Sequence, residues 1–136
     1  MNILKSVEKT FSEKQIKYFK GNNSNSNILN VPYRGINNKK LHVNIYMDID
    51  EETRIIKFTF AEKRSEKIDI QDLKSKLLNL NSLLNYGNLS MRNNSDTIEY
   101  KVEYQMNNEE FSFDSYNMFI IRCICVYEKL KEEDLI

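Results

Sequence analysis

Three stretches of this chain alternate apolar and polar side chains with a period of two, and that alternation constrains the fold more than any other feature. In "LHVNIYMDI" (41–49), Leu41, Val43, Ile45, Met47 and Ile49 fall on one side, and His42, Asn44, Tyr46 and Asp48 on the other. "RIIKFTFA" (54–61) sets Ile56, Phe58 and Phe60 inward, and "TIEYKVEYQM" (97–106) does the same with Ile98, Tyr100, Val102, Tyr104 and Met106. Successive strand residues point to opposite faces, so these segments demand a sheet buried on one face and solvated on the other. Parallel strands covered on both faces would be apolar throughout, so the predicted pairing is antiparallel. "DEET" (50–53) is the turn between the first two strands. "ILNVPYR" (28–34) adds a shorter one, whose Pro32 suits an edge that can spare a donor.

Helical spacing supplies the other layer. Ile3, Leu4, Val7 and Phe11 mark a helix over 2–14, with a strand beginning near Ile16 and Tyr18 and a polar loop "GNNSNSN" over 21–27. Asp69 is a cap for a helix over 70–86, with Leu73, Leu77, Leu80 and Leu84 as its stripe and Gly87 as the left-handed C′ residue. "NLSMRN" and "TIEYKVEYQM" pair around the turn "NNSD", and a last helix covers 114–133. The order α, three or four strands, α, two strands, α predicts an α+β fold: an antiparallel sheet of five to six strands with helices on one face. Without an internal repeat or long linker, 136 residues are expected to form a single domain, 1–136.

Chemistry is sparse in the pattern. His42 is the sole histidine, and its face offers only Asn44, Tyr46 and a distant Asp48, so it lacks the relay or ligand companions that catalysis or metal binding needs. Cys123 and Cys125 are two apart on a helix, where their thiols diverge by about 160°. Asp48, Asp50, Glu51 and Glu52 are ordinary turn residues. No glycine-rich phosphate loop is possible with three glycines. The expectation is a non-enzyme without cofactor or metal. Lys+Arg and Asp+Glu are both 20, which removes long-range attraction to nucleic acid. The open sheet face offers one ring, Tyr46, among Lys57, Glu99, Lys101 and Glu103, which is a solvated surface and not a stacking platform. The longest apolar run (118–127) is interrupted by Arg122 and is half the length of a membrane span, so a cytoplasmic protein without membrane contact is expected.

The last helix carries more information. Tyr116, Phe119, Ile120, Cys123, Val126, Tyr127 and Leu130 form a complete core stripe, while Met118, Ile121 and Cys125 lie on roughly the opposite side. A helix apolar on two sides needs two burials. Either the first helix or the loop 21–27 covers the second side, or Met118, Ile121 and Cys125 form a partner-binding surface.

With that order of elements, "LNSLLNYGNLSM" (80–91), the strand "TIEYKVEYQ" and the final helix resemble the YbjN family. Leu-Asn closes the middle helix, a glycine follows six residues after the Asn, and an apolar strand comes next; Asn81, Gly87, Leu89 and Met91 occupy these positions. "LHVNIYMDIDEETRIIKFTF" resembles the family's preceding hairpin. The resemblance spans about residues 3 to 133. It implies a fold like that of type III secretion chaperones, a homodimer, binding to a protein partner, and a regulatory or chaperone-like role without enzymatic activity. The chain departs from secretion chaperones in its neutral charge, and "NNSD" replaces an Asp-Gly turn. Asn81 sits at the edge of the leucine stripe, about 80° from its centre, and is expected to staple the helix end to strand 88–93. The competing expectation is a small-molecule sensor or enzyme with a site between sheet and helices.

Overall fold

A computed structural model describes residues 2–21, 27–92 and 96–136; most of the loop 21–27 and of the turn "NNSD" lies outside the described residues. Six antiparallel strands form one sheet: β1 (Phe19–Lys20), β2 (Ile28–Arg34), β3 (His42–Asp50), β4 (Ile55–Lys63), β5 (Asn88–Arg92) and β6 (Thr97–Gln105), in the order β1-β2-β3-β4-β6-β5. The period-two pattern does what it demands. Leu29, Met47, Phe58 and Val102 are register partners across four strands, and all four are buried. Burying each such side chain contributes about 1.5–3 kcal/mol. The structure is α+β, with the predicted order of elements and four strands before the middle helix.

Three helices cover the apolar face. In α1 (Ile3–Lys14), Ile3, Val7 and Phe11 are buried, and Asn2 caps the start by accepting from the Lys5 amide. The Glu51 carboxylate accepts from the amides of Ile3 at 2.8 Å and Leu4 at 2.9 Å, so the β3–β4 turn closes the positive end of α1. The 20-residue α3 (Phe113–Glu132) lies over β3, β4 and β6, capped by Ser112. Its Tyr116 is fully buried within reach of Phe11, Phe58, Phe111 and Phe113, and its hydroxyl meets that of Tyr33 at 2.7 Å.

Three expectations are corrected. The middle helix α2 (Ile70–Leu83) ends three residues before the predicted 86, because Leu84 turns to extended geometry (φ −78°, ψ 127°) and sends the chain back along the last turn as β5. Gly87 is therefore not a C′ residue; it stands immediately before β5. Pro32 is not on the outermost strand, since β1 flanks β2. β1 pairs only with Leu29 and Asn30, however, so Pro32 lies on the stretch of β2 that β1 leaves uncovered.

Candidate functional site

The outward face of α3 leaves apolar side chains in water, as α2 does at Leu78 and Leu83, which are 72% and 77% exposed. Tyr116, Ile120, Cys123, Ile124, Val126, Tyr127 and Leu130 are buried against the sheet, and Phe119 is partly buried between Phe58 and Tyr104, with ring centroids at 5.3 and 5.0 Å. Ile124 is absent from the predicted stripe, although its four-residue step from Ile120 is a helical signal. On the other side, Met118 is 52% exposed, Ile121 41%, and Cys125 is exposed as well. The first helix does not cover them: α1 packs by Phe11 near Tyr116, toward the start of α3. The loop 22–26 lies outside the described residues. Asp114 and Lys129 flank the apolar stretch, both exposed.

At the α2–β5 junction, the Asn81 amide bonds one residue twice. Its Nδ2 donates to the Leu89 carbonyl and its Oδ1 accepts from the Leu89 amide, both at 2.7 Å. Leu89 faces Tyr100 of β6 in register, and β5 ends the sheet order, so the Asn81 side chain occupies backbone groups that a further strand would use. Gly87 has φ +81°, and a Cβ there would lie 2.5 Å from the Tyr100 hydroxyl. That hydroxyl donates to the Tyr86 carbonyl at 2.9 Å, and the Arg122 guanidinium stacks 3.6 Å from the Tyr86 ring centroid. Asn81 and Gly87 thus shape the helix–strand connection, while Arg122 ties α3 to it.

The open face of the sheet is more organised than its sequence implies. One register row runs Phe19, Asn30, Tyr46, Thr59, Lys101 and Asn88. Phe19 is exposed, so this face carries a second ring beside Tyr46, which corrects the expectation of one. A recess of about 750 Å³ opens here, lined by Tyr46, Lys57, Thr59, Arg92 and Glu99 among others. It lies on the face away from the helices, not between sheet and helices. Glu99, expected in solvent, is only 9% exposed, with Arg92 at 2.6 Å and Lys101 at 3.8 Å from its carboxylate. Asp48, Lys57 and Glu103 form another row, alternating in sign. His42 is exposed on this face beside Arg34 of β2.

The acidic turn has structural work. Asp50 accepts from the amides of Thr53 and Glu52, and these bonds hold its carboxyl below the usual carboxylate range. Glu51 caps α1, as above. Glu128 of α3 accepts from the amides of Ile36 and Asn37 and so grips the β2–β3 turn. Among the described residues, no three of His, Cys, Asp and Glu gather as a metal site would require, and no helix is long and apolar enough to cross a membrane. Burial pushes the Cys123 thiol up to about 12. Burial also raises Tyr116, Tyr100 and Cys125, the last with help from the nearby Glu128 charge.

No family model matches the chain, and no curated protein matches it in sequence. Its fold is that of a solved structure, YbjN from E. coli, a candidate transcription regulator. The two superpose with a TM-score of 0.67 over 97% of this chain and 93% of that one, at 11% sequence identity.

Proposed function

We propose, from a fold shared with YbjN, that this chain is a non-enzymatic, cytoplasmic protein-binding module with a regulatory or chaperone-like role, and that the outer face of α3 is its binding surface. The observation that carries this reading is the exposure of Met118, Ile121 and Cys125 on a helix whose other side seats a complete core. Three apolar positions one helical turn apart, left in water on a rigid element, are what a protein contact buries. Support also comes from charge: the formal net charge is zero, and the cations of the sheet face stand beside Asp48, Glu99 and Glu103, which weakens attraction to a phosphate backbone. Regulation by such a chain acts through contact with another protein.

The test compares wild type with Ile121→Glu as immobilised baits in lysate, a tagged second copy of the chain included. A protein retained by wild type and lost from Ile121→Glu, at unchanged melting temperature, supports the reading. Equal retention contradicts it. Reproducible thermal stabilisation by a metabolite would instead favour small-molecule sensing.

A further inference from the structure

The recess on the open face of the sheet gathers positive charge over a floor of short side chains. Its lining holds four cations, Lys57, Lys63, Arg92 and Lys101, against two carboxylates, Asp48 and Glu99, an excess of two in a chain whose formal net charge is zero. At one end, Lys63, Thr97 and Arg92 share a register row with Thr97 in the middle. Neighbouring strands lie about 4.8 Å apart, so the two long cations rise roughly 10 Å from each other on either side of a short hydroxyl side chain. One row along, Ala61 and Glu99 are partners, and the next row sets Tyr46, Thr59 and Lys101 in line. Thr97, Ala61 and Thr59 are thus the floor, and the exposed ring of Tyr46 stands at the far end.

Glu99 orders the cations without cancelling them. It is the only charged residue among the described ones that is buried, which is costly for a carboxylate unless it is paired. It meets the Arg92 Nε at 2.6 Å, which leaves the terminal guanidinium nitrogens to other acceptors, and Lys101 at 3.8 Å, beyond hydrogen-bond reach. Lys63 meets Glu66 at 3.7 Å in an ion pair exposed on both sides. Lys57 has an acid on each side in its own row, Asp48 and Glu103, and counts least. Lys63, Arg92 and Lys101 set against Glu99 still carry the excess of two.

A phosphoryl group matches that excess, with about −1.5 to −2 charges near pH 7 and oxygens that accept from Arg, Lys and hydroxyl donors together. A phosphate backbone needs cations in a continuous track, which Asp48, Glu99 and Glu103 interrupt; one phosphoryl group needs only these three. At about 750 Å³ the recess is larger than a single phosphate and of a size that holds a small organic molecule. Tyr46 offers a flat surface to such a ligand.

We propose that this recess is a site for a small phosphate monoester with a planar ring, its phosphoryl group held over Thr97 by Lys63, Arg92 and Lys101 and its organic part running across Thr59 to the ring of Tyr46. The site lies on the opposite face of the sheet from α3 and is independent of the protein contact there.

Titration of the ¹⁵N-labelled protein with adenosine 5′-monophosphate, inorganic phosphate and adenosine, followed by NMR, tests it. The monophosphate should give saturating shifts at the amides of Thr97, Glu99, Lys101 and Tyr46. Inorganic phosphate should shift the first three alone and bind about fivefold or more weakly, since it lacks the stacked ring; adenosine should not saturate. Lys63→Glu, whose lost surface ion pair costs the fold little, should weaken the monophosphate about tenfold or more. Tyr46→Ala should bring the monophosphate to the affinity of inorganic phosphate and leave inorganic phosphate unchanged. Shifts spread over the charged surface, no saturable binding of either phosphate compound, or binding untouched by Lys63→Glu overturns the site. Equal affinity of wild type for the two overturns the place of the organic part, and tighter binding of a single-stranded oligonucleotide overturns the small-ligand assignment in favour of nucleic acid. Ile121→Glu should bind the monophosphate as wild type does, and thermal stabilisation by it that Lys63→Glu removes reports this recess, leaving the α3 face to the retention experiment alone.

Discussion

The two faces of α3 are built from similar side chains and meet opposite surroundings. On the inner face, Tyr116, Ile120, Cys123, Tyr127 and Leu130 are buried against β3, β4 and β6 and contribute to folding. On the outer face, Met118, Ile121 and Cys125 are left largely to water, where they contribute little to the stability of one chain. The two cysteines make the contrast sharpest: Cys123 is enclosed and its thiol pushed up to about 12, while Cys125, two residues on, is exposed. Apolarity alone does not assign a residue to the core. What matters is whether the fold supplies a surface to bury it.

Substitutions on the two faces should therefore separate stability from association. Tyr116→Ala removes the centre of the aromatic cluster and should cost about 3–5 kcal/mol in urea unfolding; a loss below about 1 would show that the inner face is not the stabilising one. Alkaline pH should act on the same side. Cys123 ionises near 9.0 when unfolded and about 12 when buried, so its contribution is present in full below pH 9 and lost as pH rises toward 12. Buried Tyr116 and Tyr100, both raised, add to that loss above pH 10. Stability that is level across pH 9–11 would contradict this burial.

Asn81→Ala leaves the Leu89 amide and carbonyl unpaired and should cost about 1–3 kcal/mol. It also frees part of the β5 edge, so greater aggregation on mild heating should accompany the loss. Tyr104→Phe should raise stability by about 1 kcal/mol, because the buried Tyr104 hydroxyl has no hydrogen-bond partner among the described residues. Ile121→Ser on the outer face should change monomer stability by no more than about 0.5 kcal/mol. A large loss there would mean that the two faces do not differ as described.

The period-two alternation made β3, β4 and β6 legible, because each is long and one-sided. The place of Asn81 was legible too: its angle from the leucine stripe puts it at the helix edge, where backbone groups of the next strand need partners. Gly87 was found for the wrong reason. Its spacing suggested a helix cap, whereas its need for φ +81° and no Cβ comes from Tyr100, a contact across the sheet that local spacing does not encode. The same holds for Glu51 and Glu128, whose carboxylates hold segments 48 and about 90 residues distant. The exposure of Phe19 and the burial of Glu99 were not legible, because β1 is two residues long and because Arg92 reaches Glu99 only once β5 pairs with β6. On α3 the second apolar face was visible in the sequence, and only the packing of α1 elsewhere separated exposure from coverage.

Light scattering on a size-exclusion column, run at several loading concentrations on wild type and Ile121→Glu, asks directly whether the outer face of α3 is a protein-binding surface. A wild-type mass that rises from 16.2 kDa toward twice that value with concentration is expected, with an Ile121→Glu variant that stays at 16.2 kDa and keeps its melting temperature. A wild type whose association is untouched by Ile121→Glu would contradict it, because the copies would then meet elsewhere than on the outer face of α3.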